Sequence, residues 1–346
     1  MRRAMVGAGR SSGCAPASLY AQLLVLLLLG PICKAQQESP HRLANPAPPL
    51  VYYNRVPKAG SSTVLGIIAS LQKQNGFTHV HKLQDFYWDR PGPAANEQAV
   101  AELFNTARAA GEPAAYDCHT YFIDFFGSPA VRARLGGDVS DVHFINVLRN
   151  PSQRMRSLFY YAVDPVARGG ERAEQIQRRR RADPCGCGDI SYNECIEQAH
   201  ATNCSARTNI ATRGRSAVRH FLTAEDSAAY HKTECTVEAR APLVLKAMAN
   251  MQLYTVIGLA ERMDDTVKLL EARLPAVFRG ASHRLAMRGR DRVTTVPFKF
   301  STQGPLVSSK ADAILRANPC NMGEYAIWEH AKRLFHNATG VDVRGL

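Results

Sequence analysis

An apolar, β-prone run that begins at Val51 ends in a turn of Lys, Gly, Ser and Thr residues at positions 58–63. Apolar side chains then recur at helical spacing over the next two turns. They are Val64, Ile67, Ile68 and Leu71. The pattern predicts a strand, a short polar turn and a helix that begins directly after the turn.

The alternation of strand-like and helix-like patterns continues along the chain. Predicted strands cover residues 78–82, 115–119, 142–148 and 254–259, and predicted helices cover residues 94–110, 151–159, 262–274 and 322–336. Such alternation predicts an α/β fold, a doubly wound parallel sheet flanked by helices. The basic segment 171–183 interrupts the pattern, and we expect a surface loop there.

The first turn has the composition of a phosphate cradle. Backbone N–H groups and the positive end of the helix dipole would face an anion, and Lys58 adds a full charge. The fold is therefore predicted to be P-loop-like, but the lysine precedes the glycine, unlike G-x-x-x-x-G-K-[ST]. This order favours a phosphate-bearing ligand other than a hydrolysed triphosphate. The competing interpretation is an ordinary strand–turn–helix corner with a Ser cap.

The net charge and the N-terminal sequence limit the classes of binding partner. The formal charge of +13 favours an acidic partner: nucleic acid, a membrane surface or an acidic polysaccharide. Arg2, Arg3 and Arg10 precede an apolar run at residues 19–33. This pattern predicts a cytoplasmic tail at 1–14, a signal anchor at 15–34, a stem at 35–49 and a lumenal domain at 50–346. A cleaved signal peptide ending near Ala35 stays open. Either route makes nucleic acid an unlikely partner.

Cysteines and sequons agree with an oxidising compartment. Five of the nine cysteines fall in one polar region between Cys185 and Cys235, which predicts disulfides. A zinc site is the alternative, although no spacing there matches a standard finger. Asn203 and Asn337 begin N-glycosylation sequons.

A second signal follows the strand at residues 142–148. That strand delivers Arg149 at its end, and Ser157 lies two turns into the next helix, so the pair could hold a dianionic phosphate. Lys58, His119 and Arg149 all fall just past predicted strand ends. Because ligands bind at the carboxyl ends of such strands, the three side chains are expected to line one crevice.

At this point the chain resembles the uronosyl (heparan sulfate and uronyl) 2-O-sulfotransferases, a family of Golgi carbohydrate sulfotransferases. The first motif of that family is similar to residues 53–58 (YNRVPK), and the second is similar to residues 145–151 (INVLRNP). Residues 279–281, Thr294 and Thr295 also fit. The resemblance covers roughly residues 50–335, with gaps.

The resemblance implies sulfuryl transfer from 3′-phosphoadenosine-5′-phosphosulfate (PAPS), without a metal, to the 2-hydroxyl of a uronic acid in heparan or chondroitin/dermatan sulfate. Lys58 and the following N–H groups would hold the 5′-phosphosulfate, Arg149 and Ser157 the 3′-phosphate, and residues 279–299 the adenosine. The implied donor-binding residues are Lys58, Ala59, Gly60, Ser61, Ser62, Thr63, Arg149, Ser157, Leu285, Gly289, Thr294 and Lys299.

The resemblance also implies a base and an acceptor surface. His119 matches the catalytic histidine of the family, although a structural strand-end histidine is the alternative. Where some members carry a second histidine, this chain has Asp117 and Tyr121. Arg55, Arg172 and Arg180 are the expected acceptor contacts. For the arginine run at 178–181, a solvated loop or a processing site is the competing interpretation.

Further expectations concern disulfides, assembly and location. The resemblance implies a Cys195–Cys204 disulfide and allows a homo-oligomer of no stated stoichiometry. It also implies a single-pass type II Golgi membrane protein. The alternative function is a non-catalytic lumenal or extracellular binder of acidic polysaccharide. A kinase is disfavoured by the lysine order and by the lack of an evident Mg²⁺-binding Asp motif.

Overall fold

The computed structural model describes residues 47–81, 93–163, 170–182, 187–188, 190–204, 216–290 and 306–346. All of them belong to one compact unit, Ala47–Leu346. The predicted tail and anchor, and the stem up to residue 46, lie outside the described residues.

A five-stranded, all-parallel sheet forms the centre of this unit, in the order β2-β3-β1-β4-β5. The strands are β1 (Leu50–Asn54), β2 (Thr78–His81), β3 (Ala114–Cys118), β4 (Val142–Leu148) and β5 (Tyr254–Leu259). The predicted parallel α/β sheet is confirmed. Because β1 has β3 on one side and β4 on the other, the chain changes direction across the sheet at β1, where ligands bind in such folds.

Helices connect and cover the strands. They are α1 (Ser61–Asn75), α2 (Pro93–Ala110), α3 (Pro129–Arg134), α4 (Pro151–Val163), α5 (Gly170–Arg181), α6 (Tyr192–Ala201), α7 (Ala224–Lys232), α8 (Val237–Met251), α9 (Met263–Arg273), α10 (Pro275–Phe278), α11 (Ala281–Arg290), α12 (Ser309–Ala317) and α13 (Met322–Thr339), with 3-10 turns at Val218–Phe221, Ala260–Arg262 and Pro319–Asn321.

The basic segment is helical, which corrects the predicted surface loop. Helix α5 contains Glu, Arg, Gln and Ala residues and no interior Gly or Pro. These residue types lose little side-chain entropy in a helix, so the composition favours a helix even without an apolar face. The run of like charges suggested a loop, but Glu174 pairs with Arg178 one turn later (3.9 Å) and offsets part of their repulsion.

One face of the sheet is covered by aromatic side chains in register. Tyr52 pairs with Tyr116 on one side and with Phe144 on the other, and Phe144 pairs with Tyr254. The rings of Tyr52 and Phe144 meet edge to face, with centroids 5.7 Å apart. Each such contact adds about 0.5–1.5 kcal/mol beyond the area buried. This face anchors β1 in the middle of the sheet.

A buried polar network fixes the carboxyl end of β1. The Asn54 amide nitrogen donates to the carbonyl of His220 (2.5 Å), and its oxygen accepts hydrogen bonds from Asn146 (3.0 Å) and the Tyr254 hydroxyl (2.9 Å). Asn54 is fully buried. Three neighbouring segments are therefore held to the strand just before the predicted phosphate turn.

The predicted single-pass type II Golgi topology is contradicted. Within the part of the chain that the structure describes, no helix combines the length and the apolar character needed to cross a membrane. The segment 15–34, on which the prediction rested, is not among the described residues.

Candidate active site

The turn between β1 and α1 has the backbone geometry of an anion cradle. Gly60 precedes the helix with φ of 84°, and Lys58 adopts φ of 63°. Among the described residues other than glycine, Lys58 and Asn203 have positive φ. A left-handed lysine costs free energy, so the surrounding fold must hold this turn in one shape, as is common at functional sites.

The N-terminus of α1 suits an anion. Its first turn contains no acidic residue, and Gly60 has no side chain to cap it. The first N–H groups of a helix have no carbonyl partners one turn earlier, and the dipole adds positive charge there. In α1, the Thr63 N–H donates to the Gly60 carbonyl (3.0 Å). Ala59, Ser61 and Thr63 are buried, whereas Ser62 is exposed. These residues were predicted from sequence, and the turn they form fits a phosphate-bearing donor.

Helix α4 closes one side of the turn. The Lys58 ammonium lies 3.8 Å from the centre of the Tyr161 ring, a cation–π geometry. Arg149 and Ser157 belong to the same stretch of chain, directly after β4 and within α4. Ser157 is buried, with 6% of its surface exposed. The Lys58–Tyr161 contact therefore links the turn of the first predicted phosphate site to the helix that contains Ser157.

Arg149 lies in a strongly basic environment. Burial lowers the pKa of its guanidinium, Glu261 opposes that shift, and the charges of Arg156 and Arg154 lower the pKa further. Glu261 is 4.0 Å from Arg149 and also accepts the N–H of Asn150 (3.0 Å). The surplus of positive charge is what a dianionic phosphate would offset.

His119 follows β3 and is tied to the segment that leads into the turn. Its Nδ1–H donates to the carbonyl oxygen of Arg55 at 2.8 Å. This bond places the proton on Nδ1, and Nε2 keeps its lone pair. Burial lowers the pKa of His119 to about 4, and the charge of Arg55 contributes. The ring is therefore neutral at neutral pH, the form in which a general base acts.

A second histidine lies beside His119, although it comes from a distant part of the chain. His220 sits in the 3-10 turn and donates from Nδ1 to the carbonyl of Thr120 (2.8 Å). Burial, followed by the neighbouring His119, lowers its pKa well below the usual value. Sequence reasoning missed His220, because nothing local marks it and only the fold brings it here.

Asp117 is also part of this edge of the sheet. It forms an ion pair with Arg55 (Nε to Oδ1, 2.9 Å) and accepts hydrogen bonds from His79 (2.6 Å) and His81 (2.8 Å). Sequence reasoning did not assign the two β2 histidines to the site. Their alternation, two residues apart in a strand, was the signal that both could reach one neighbour.

Comparisons with known proteins agree with this geometry. The chain is 25% identical over 293 residues to the uronyl 2-sulfotransferase homolog pip of Drosophila melanogaster, covering 80% of this chain and 50% of that protein. It is 27% identical to the heparan sulfate 2-O-sulfotransferase hst-2 of Caenorhabditis elegans, covering 77% and 71%. It is 25% identical to heparan sulfate 2-O-sulfotransferase 1 of Gallus gallus, covering 71% and 61%.

The chain is similar to proteins named uronyl and heparan sulfate 2-O-sulfotransferases. No protein-family model matches it. The aligned part spans half the length of the Drosophila protein and 61% of the Gallus protein.

The adenosine-binding positions assigned by the 2-O-sulfotransferase resemblance are only partly described. Leu285 lies half-buried in α11, which packs against α1 and α9. Gly289 belongs to the same helix, one position before its last residue. Thr294 and Lys299 lie outside the described residues. The roles of all four remain predictions.

Two of the expected acceptor contacts are on the basic helix. Arg172 and Arg180 belong to α5, but their side chains are outside the described set. Arg55, by contrast, is buried beside the turn and contacts Asp117. Binding of the acceptor by these three arginines therefore remains a prediction.

The cysteine region corrects one pairing implied by the resemblance. Cys195 is bonded to Cys187, not to Cys204. Cys204 is also disulfide-bonded, and Cys235 pairs with Cys320. The Cys187–Cys195 bond spans the segment that leads into α6, a local link that sequence spacing alone did not select. These bonds, rather than zinc, account for the described cysteines of the cluster.

Both predicted glycan acceptors are on the surface. Asn203 follows α6, and Asn337 lies in the last turns of α13; each is exposed. Exposure is necessary for glycosylation, and both sites remain predictions. Among the residues that the structure describes, no group of three or more His, Cys, Asp or Glu side chains could hold a metal ion.

Proposed function

We propose that this protein transfers a sulfuryl group from PAPS to the 2-hydroxyl of a uronic acid in a glycosaminoglycan, either heparan sulfate or chondroitin/dermatan sulfate. Relatives named uronyl and heparan sulfate 2-O-sulfotransferases support the reaction class. The site supports it chemically, because an anion cradle, an arginine cluster and a neutral histidine meet at one edge of the sheet.

The donor side follows from the first two features. PAPS, when bound, supplies the activated sulfuryl group. Lys58 and the N–H groups of residues 59–63 would hold its 5′-phosphosulfate, and Lys58 would stabilise charge on the leaving oxygen. Arg149 and Ser157 would hold the 3′-phosphate. The uncapped first turn of α1 fits this assignment, because a side-chain cap or a carboxylate there would compete with the anion.

The acceptor side depends on His119. Nε2 would take the proton of the attacking hydroxyl as the oxygen attacks sulfur in line with the leaving group. The Nδ1–H bond to Arg55 keeps the correct tautomer throughout. Arg55, Arg172 and Arg180 would bind carboxylate or sulfate groups of the polysaccharide through their guanidinium forks.

One observation carries the proposal: the 2.8 Å bond from His119 to the carbonyl of Arg55. Arg55 is three residues before Lys58 in the segment between β1 and the turn. One hydrogen bond thus ties the proposed base to the short backbone segment that leads into the proposed donor cradle. Attack from one side and departure on the other need such a fixed relation.

The test measures sulfate transfer from labelled PAPS to a panel of desulfated heparan, chondroitin and dermatan acceptors, followed by disaccharide analysis. We expect label at the 2-position of a uronic acid. His119→Asn, in which the amide replaces Nδ1 but not Nε2, and Lys58→Ala should each lose transfer by roughly a hundredfold or more. His231→Asn and Lys73→Ala, both on exposed residues, are the matched controls.

Two outcomes would overturn the proposal. Wild-type protein that binds polysaccharide but transfers no sulfate would be a non-catalytic binder. Full activity in His119→Asn would mean that sulfate transfer does not use His119 as its base.

A further inference from the structure

Asp117 has a fully buried carboxylate that contacts three side chains, those of Arg55, His79 and His81. Arg55 approaches Oδ1 with its Nε at 2.9 Å, and His81 donates to the same oxygen from Nδ1 at 2.8 Å. His79 donates to Oδ2 from Nε2 at 2.6 Å. Both carboxylate oxygens are thereby used, and a buried carboxylate requires such partners.

The register of the sheet builds this cluster. Asp117 is aligned with Tyr53 of β1 and with His81 of β2, so all three side chains are on one face. His79 is two residues earlier on the same face of β2. The cluster is therefore a fixed product of strand pairing. The cluster lies at the carboxyl ends of the strands, and Asp117 is two residues before His119.

Arg55 connects the cluster to the proposed base. Its side chain is held by Asp117, and its carbonyl oxygen accepts the Nδ1–H of His119. Its own N–H donates to the carbonyl of Cys118 at 2.7 Å. Arg55 is nearly buried. The side chain held by Asp117 and the carbonyl that orients the His119 ring thus belong to one buried residue.

We propose that Asp117 is a positioning residue, which fixes Arg55, His79 and His81 as one unit and through Arg55 holds His119 in its reactive orientation. The inference rests on the proposed function and extends it. The role is indirect, since Asp117 is buried and its oxygens are already engaged.

Charge supports the same role. Burial would raise the pKa of Asp117, but hydrogen bonds from His79 and His81, with the charge of Arg55, lower it to about 2. The carboxylate is therefore ionised, and its negative charge offsets the effect of the Arg55 positive charge on His119. The charged and titratable groups that face Asp117 and His119 come from three places: Arg55 after β1, His79 and His81 in β2, and His220 in the 3-10 turn, whose own pKa is lowered by His119.

The experiment compares Asp117→Asn with Asp141→Asn. Asp141 is a matched control, because it too is a buried carboxylate in an arginine pair (Arg108 Nε to Oδ2, 2.7 Å), but it precedes β4 at the opposite edge of the sheet. We expect Asp117→Asn to lower kcat by roughly ten- to hundredfold, with KM for PAPS changed less than about twofold. Asp141→Asn should leave both constants near those of the wild type.

A second readout does not depend on sulfate transfer. NMR titration of the His119 ring, assigned by its loss in His119→Asn, should show a lower pKa in Asp117→Asn, because Arg55 is then uncompensated. Asp141→Asn should not change it. The transfer assay and the NMR titration therefore test different hypotheses. Wild-type protein without transfer contradicts the proposed function, whereas an unchanged His119 titration contradicts the role of Asp117.

Two further variants keep the inference testable. A double-mutant cycle of Asp117→Asn with Arg55→Gln should be non-additive if Asp117 acts through Arg55, and additivity would overturn that route. If Asp117→Asn does not fold, His81→Gln removes one donor at a partly exposed position. It should lower kcat several-fold without changing KM for PAPS, and wild-type kinetics would contradict the proposal.

Discussion

The ammonium group of Lys58 lies 3.8 Å from the centre of the Tyr161 ring. The lysine is in a left-handed turn after β1, and the tyrosine is in α4, in a distant part of the sequence. The ring face is negative and attracts the cation, so the two elements meet through a directional contact. A flexible side chain that we propose binds an anion is thereby ordered before the anion arrives.

Tyr161→Phe should retain donor binding, and Tyr161→Leu should weaken it. A phenyl ring keeps the cation–π contact, whereas leucine fills space without attracting the ammonium. The contact is worth about 0.5–1 kcal/mol at a partly exposed site, or roughly two- to fivefold in affinity. Calorimetry with adenosine 3′,5′-bisphosphate measures it. Equal binding by Tyr161→Leu would mean that the ring does not order Lys58 for the donor, and tighter binding would mean that the ring competes with the donor.

Gly60→Ala should cost both stability and donor affinity, and Gly76→Ala provides the control. Both glycines have positive φ, 84° and 64°, at the two ends of α1. A Cβ on Gly60 would lie 2.6 Å from the Met263 methyl, whereas a Cβ on Gly76 would meet nothing within 4 Å. Both should lose about 1–2 kcal/mol of unfolding free energy to backbone strain. Urea titration and donor calorimetry should show that Gly60→Ala loses more, and that Gly76→Ala keeps its affinity.

Much of the fold was predictable because its signals are local. The apolar run of β4 and the Asn150-Pro151 start of α4 predicted those elements closely, since composition and capping act over a few residues. Lys58, His119 and Arg149 were predicted as site residues because each lies next to the end of a predicted strand. Helix α6 was missed although Ser191 and Glu194 form a capping box there, a pattern readable in sequence.

Several features that the sequence did not predict are created by strand order and by distant segments. Nothing local says that β2 pairs with β3, and only that pairing brings His79 and His81 to Asp117. His220 reaches the site through a 3-10 turn from a different part of the chain. The Cys187–Cys195 bond likewise depends on how the segment before α6 folds back.

The acid limb of the rate profile should lie well below the usual pKa of histidine. Burial and Arg55 lower the pKa of His119 to about 4, so the neutral base persists as the pH falls from about 8 to about 5. We expect kcat/KM, corrected for the folded fraction measured by circular dichroism, to stay level over that range and to fall only near pH 4. A midpoint near 6.5 would mean that the titrating base is a solvated histidine.

Stability should fall as the pH falls from about 6.5 toward 4. The pKa values of His119 and His330 are both lowered to about 4, chiefly by burial and then by a nearby arginine. Over this range the unfolded chain binds protons that the folded chain does not, so acid favours unfolding. Each group should cost roughly 2 kcal/mol at pH 5 relative to pH 8. Urea midpoints at pH 8, 6.5 and 5 test this, and His119→Asn should lose less stability on acidification than the wild type. An equal loss in the two proteins would show that burial does not keep the His119 ring neutral in the folded state.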